Sequence, residues 1–302
     1  MKIKSEYPEP VEGAKWLEFA SDDLEVAEVL YSNKRYRSAI FHLQQASEKL
    51  AKGILLLTNI LPTYIEPKDA RLIRKMLGFP LSRPRAYGHR WLRNLLDDLE
   101  KSVNSFEQLA TMLENLPLNS DAKENIKKFK DLLPGFKEKA HAAESTEIKG
   151  VSLDAVKSTV DSCRKFIDLI KPLTENIASS ISPKLHELRK SSFIRDIERH
   201  YGVRLDRRMK TRLNKILMDE EILRVQIKHS ILLIPLGTIS IVLNPHEWST
   251  RYPDAEQKIE YTEDNPISQY FAEIEEVLRK CLDEVEYDYL YQDATRTSVH
   301  TS

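Results

Sequence analysis

The chain has 302 residues, 41% of them hydrophobic and 31% charged, with a formal net charge of −1. That apolar share excludes gross disorder, and eight glycines with fourteen prolines argue against a loop-rich all-β protein. The length suits one large domain or two modest ones, either able to bury a core.

Met1 to Pro10 is polar and lacks the apolar centre of an export signal, so a cytoplasmic protein is expected. From Glu12 to Ser32, Trp16, Phe19, Ala20, Leu24, Ala27 and Leu30 return every three or four residues, which predicts an amphipathic helix ended by Asn33-Lys34. Tyr36 opens a second helix carrying Ile40, Leu43, Ala46, Leu50, Ile54 and Leu57 on one stripe. The short link between them makes the two antiparallel neighbours. Asn59 to Pro67 reads as a loop, Lys68 to Leu77 as a short helix, and Gly78 to Gly88 as a run of breakers. His89 to Val103 then reads as a helix with Leu92, Leu95, Leu96 and Leu99 inward.

Between 104 and 150 shorter helical pieces are expected, punctuated by Pro117, Asn119 and Pro134-Gly135. Ser152 caps a long helix through Val156, Val160, Cys163, Ile167 and Ile170, with Pro172 as its kink or stop. Pro183 starts a further helix, Arg189 to Tyr201 follows, and Gly202 precedes a basic helix from Asp206 to Lys228. Ile231 to Leu243 stays open between a hairpin, suggested by its β-branched residues and Pro-Leu-Gly centre, and a buried kinked helix. It is too short to cross a bilayer, so no membrane partner is expected. Asn244-Pro245 and Tyr252-Pro253 mark an irregular linker into a last helix from Pro266 to Tyr291. Its inward residues are Tyr270, Ile274, Val277, Leu278, Cys281 and Val285, and the tail after Thr295 should fray.

Charge is unevenly spread. Eight Lys or Arg face only Asp69 between Lys68 and Arg93, and eleven face four acids between Lys184 and Lys215. Thirteen acids between Tyr252 and Asp293 oppose Lys258, Arg279 and Lys280. Such asymmetry fits polyanion binding or association between oppositely charged faces. Cys163 and Cys281 are the only cysteines and have no metal-type spacing, so neither zinc nor a disulfide framework is expected. No Gly-rich phosphate loop, paired-histidine zinc motif or nucleophile elbow is present, and no cofactor is expected. Asp22-Asp23 and Asp97-Asp98 are adjacent in sequence and so do not share a helix face, which gives no support to two-metal chemistry.

Two passages carry more than periodicity. The first is Ser38-Ala39-Ile40-Phe41-His42-Leu43-Gln44-Gln45-Ala46-Ser47-Glu48-Lys49-Leu50-Ala51-Lys52, followed later by Gly88-His89 with Leu92, Leu95 and Leu96. The second is Ser249-Thr250-Arg251-Tyr252-Pro253-Asp254, with Tyr261-Thr262 and the last helix after it. Together they resemble the opening helix pair and the closing link of HEPN domains. The resemblance implies an all-α, up-down helical bundle of HEPN type, split into residues 12–103 and 244–291. Residues 104–243 would form a central, mostly helical insertion whose last part can supply a bundle helix, and 292–302 a flexible tail.

By the same resemblance, functions would range from metal-independent ribonucleases to toxins paired with nucleotidyltransferases and non-cutting RNA or nucleotide binders, with a homodimer expected. Nuclease members carry Arg, then His after four to six residues, so that imidazole moves the 2′-hydroxyl proton and guanidinium holds the phosphate. Twenty arginines and eight histidines give roughly one or two such pairs by chance. Five occur here: Arg35/His42, Arg37/His42, Arg83/His89, Arg195/His200 and Arg224/His229. At the position the family uses, Arg251 stands without a following His, which favours binding over cutting.

The expected RNA- or nucleotide-binding residues are Arg251, Tyr252 and Asp254, with His246 nearby and Arg85, Arg90 and Arg93 as an anion-binding rim. In a purely structural role, Arg251 and Asp254 would tie the linker to the bundle and His89 would sit at the core edge. The alternative functions are an endoribonuclease using Arg83 and His89 or Arg224 and His229, and a protein-interaction scaffold. Toxin–antitoxin or defence systems are the expected setting, and no metal ligand is expected.

Overall fold

In the computed structural model, the described residues are 10–58, 103, 104, 107, 110, 111, 120–145, 152–188, 220–251 and 260–299. Among them every element is helical: α1 (Pro10–Ser32), α2 (Tyr36–Thr58), α3 (Ser120–Ser145), α4 (Leu153–Leu188), α5 (Glu220–Arg251), the single turn α6 (Pro266–Gln269) and α7 (Phe271–Val299). The elements expected within 59–102 and 189–219 lie outside the described residues.

α1 and α2 form an antiparallel pair joined at Asn33-Lys34-Arg35. The Arg35 amide donates to the Leu30 carbonyl (2.9 Å) and the Lys34 amide to the Tyr31 carbonyl (2.9 Å), a paired closure of the helix end. Lys34 occupies the left-handed region there with φ of 59°, a conformation that glycine adopts without the Cβ penalty. Lys34→Gly should therefore stabilise the fold by about 1 kcal/mol, measured as a rise in unfolding midpoint, whereas Lys34→Val should lower it.

Two glycines bring the far end of the pair into close contact. A Cβ on Gly53 would stand 2.6 Å from Leu17 Cδ2, and one on Gly13 would stand 2.9 Å from Leu57 Cγ. Leu17, Ala20, Leu24 and Ala27 face the core. Phe19, expected inward, is instead 50% exposed: Leu17, two residues before it, takes the buried place, and the small Ala20 lets the helices approach.

α5 is the central helix. Every residue from Lys228 to Leu243 is buried, so no single apolar face exists for periodicity to reveal. It packs against α2 and α4, with further contacts to α3 and α7. The Ser47 and Ser240 hydroxyls hydrogen-bond at 2.6 Å between α2 and α5. The hairpin alternative for Ile231 to Leu243 is thereby corrected, and α5 runs uninterrupted through the expected boundary at 243/244.

Proline positions also differ from expectation. α4 continues through Pro172 and Pro183, and α3 through Pro134. A proline inside a helix forfeits one hydrogen bond and costs roughly 3 kcal/mol. Burial of Leu133 and Phe136 around Pro134, and of Ile170 and Leu173 around Pro172, offsets that cost. Phe166 of α4 meets Phe129 and Phe136 of α3 with ring centroids 5.2 and 4.9 Å apart.

α6 starts at the Asn265 side chain, which accepts the Ile267 amide at 3.0 Å. α7 then returns along α1. Tyr31 stacks on Phe271 at 4.2 Å and donates its hydroxyl to the Ser268 carbonyl at 2.8 Å. A single apolar cluster takes side chains from all of these helices and from Val103 and Ala110.

Candidate functional site

α5 carries four of the residues singled out from sequence: Arg224, His229, His246 and Arg251. Arg224 is half-buried and His229 only 3% exposed. Five residues of helix turn them roughly 140° apart, so they do not present one combined face. Burial pushes His229 down to about 3, and the Lys228 cation beside it adds to the effect. His246, one residue past Pro245, is 2% exposed and held at about 4 by burial. Its Nδ1 lies 3.3 Å from the Tyr261 hydroxyl, with the two rings edge to face, which ties the end of α5 to the segment entering α6.

His229 and His246 stand seventeen residues apart on one helix, about 25 Å, and are not brought together. Arg251 is the last residue of α5. Its side chain, together with Tyr252, Asp254, Arg83, Arg85, His89, Arg90 and Arg93, lies outside the described residues.

A second arrangement was not anticipated. Across the α1–α2 seam, Asp23 bridges two groups: Oδ1 meets His42 Nδ1 at 2.9 Å and Oδ2 accepts from Lys49 Nζ at 2.5 Å. The His42 side chain is 28% exposed while Asp23 is 11% exposed, so the carboxylate is sheltered and the imidazole reaches water. A carboxylate on Nδ1 fixes the proton there and leaves Nε2 as the basic nitrogen.

Aromatic rings and cations surround this trio. Phe41 stands edge-on to His42 at 5.2 Å, and Lys49 lies 5.9 Å from the Phe19 ring centroid. Lys52 lies 4.8 Å over Trp16 and pairs with Glu48 one helical turn away. The arrangement can hold a proton in a defined place and offer rings for stacking. Its lysines are already paired with carboxylates, so its pull on phosphate is reduced.

Among the described residues no three His, Cys, Asp or Glu side chains converge as a metal cluster would require. Cys163 and Cys281 are buried; burial pushes the Cys281 thiol well up, with Cys163 adding to the shift. Such thiols are poor nucleophiles. Among the described residues no helix is long and apolar enough to cross a membrane.

Residues 14–66 match the HEPN domain family, and no family covers the rest of the chain. The match takes in the Ser38–Lys52 run and the Asp23–His42–Lys49 trio, and does not extend to Gly88-His89 or Thr250–Asp254. No curated protein and no solved structure matches the chain.

Proposed function

We propose that this HEPN-bearing chain is a module that binds RNA or a nucleotide without cutting it. It would act as a homodimer in a toxin–antitoxin or defence system, where a nucleotidyltransferase is the expected partner. The burial of His229 carries the reading. An imidazole sealed in the core and held near 3 cannot exchange a proton with a ribose hydroxyl at neutral pH, so His229 does not serve as a general base for the Arg224/His229 pair. His246, the described histidine nearest in sequence to Arg251, is buried as well. Arg251 with Tyr252, and the Arg85, Arg90 and Arg93 rim, supply the charge and the ring that bind phosphate and base.

The experiment is fluorescence anisotropy of a labelled single-stranded RNA and of a labelled ATP analogue, in EDTA, followed by gel analysis of the RNA. Expected are binding that weakens with salt, a loss of about tenfold in Arg251→Ala, and intact RNA. EDTA-resistant cleavage that disappears in His89→Ala would overturn this reading.

One observation favours the endoribonuclease alternative. The Asp23–His42 pair is the described arrangement with an oriented, water-exposed imidazole. Cleavage abolished by His42→Ala, with binding retained, would select it over the binding module.

A further inference from the structure

We propose that the outward face of α1 is a docking surface for a partner protein's amphipathic helix, one with an apolar stripe flanked by Lys or Arg. α1 has two apolar faces rather than one. Leu17, Ala20, Leu24 and Ala27 are buried against the bundle. On the far side Phe19, Val26 and Val29 are 50%, 41% and 62% exposed. At 100° per residue these three fall within roughly 80° of one another, and with half-buried Trp16 they extend the stripe to about 20 Å. A surface helix normally spends polar residues on such a face, so large side chains aligned there mark a contact surface.

Charge selects the occupant. α1 carries Glu12, Glu18, Asp22, Asp23, Glu25 and Glu28 against Lys15 alone. Glu18, Asp22 and Glu25 are exposed, lie beside or within the stripe, and form no ion pair among the described residues. Asp23, which falls between Phe19 and Trp16 around the helix, is matched by His42 and Lys49, and Glu28 by Arg279 at 3.1 Å. Glu18, Asp22 and Glu25 repel a phosphate backbone, and the Lys49 and Lys52 cations beside Phe19 and Trp16 are already paired with Asp23 and Glu48, so nucleic acid does not fit here. A second copy docking α1 against α1 would set the same acids face to face about a two-fold axis. A helix with basic flanks satisfies both the apolar stripe and the acids.

The test uses the full chain and a labelled synthetic helical peptide of about five turns, with a leucine stripe and lysine flanks, beside a matched peptide with glutamate flanks. Anisotropy should show saturable binding of the lysine peptide and none of the glutamate peptide. Binding should weaken at least about tenfold in Phe19→Ser/Val26→Ser/Val29→Ser, and likewise in Glu18→Gln/Asp22→Asn/Glu25→Gln. These residues are exposed, and unchanged unfolding midpoints would show that the variants remain folded. Equal binding by wild type and both variants would overturn the proposal. So would sedimentation showing a dimer that the triple-serine variant dissolves, because the occupant would then be a second copy.

Discussion

Between about pH 7.5 and about pH 5 the free energy of unfolding should fall by about 4 kcal/mol, with His229 and His246 each responsible for about half. Both are held far below the ordinary histidine value of 6.5, at about 3 and about 4, because the core excludes their charged form. The sign follows from proton counting. Below 6.5 the unfolded chain takes up a proton on each ring, whereas the folded chain takes up neither until pH approaches 4 and then 3. The stability these rings contribute is therefore complete above 6.5 and lost as pH falls below it. Carboxylates held low by ion pairs, such as Glu276 beside Lys280 and Arg164, release their contribution below 4.5, outside the interval between about pH 7.5 and about pH 5. Denaturant unfolding at the two pH values, repeated on His229→Leu and His246→Leu, checks the assignment. Each variant should lose about half the slope; a flat wild-type profile would refute it.

The second large effect is an asymmetry at one ion pair. Lys228 in α5 is 3% exposed in its side chain and pairs with Glu284 of α7, which is 30% exposed. Glu284→Ala leaves the ammonium buried without this carboxylate and should cost about 3 kcal/mol. Lys228→Met removes the buried charge itself, fills the space with apolar atoms and leaves a carboxylate that water reaches. Its cost should be under about 1 kcal/mol, and Lys228→Met/Glu284→Ala should recover most of what Glu284→Ala alone loses. Urea denaturation of the three variants measures this. Equal losses in the two single variants would show that the pair does not behave as a buried cation with a wet partner.

The all-α class, the antiparallel α1–α2 pair and the core face of α7 were legible because their apolar residues repeat at helical spacing and their link is short. α5 was not legible between Ile231 and Leu243, because a helix buried all round carries no polar face to set its period. Pro134, Pro172 and Pro183 misled for a related reason: local geometry predicts a stop, and packing that forms only in the folded bundle overrides it. Phe19 was assigned inward on spacing alone, but two candidate faces one residue apart compete on α1. The Asp23–His42 contact was recoverable in principle, since both stand at similar distances from the Asn33 turn on antiparallel helices. Arginine–histidine spacing within one segment does not reveal a pairing that forms across two helices.

The central place of α5 has a consequence for synthesis. α2 ends at Thr58 and α5 begins at Glu220, so the 161 residues from 59 to 219 are added before the covering helix starts to emerge. At roughly 5 to 20 residues per second that interval lasts about 8 to 30 seconds. During it Leu43, Ser47, Leu50 and Ile54, which share one face of α2, wait for the helix that will meet Ser47 through Ser240. The segment that carries the family match is thus made early and finished late, and each nascent chain must keep that face from the wrong neighbour until α5 arrives.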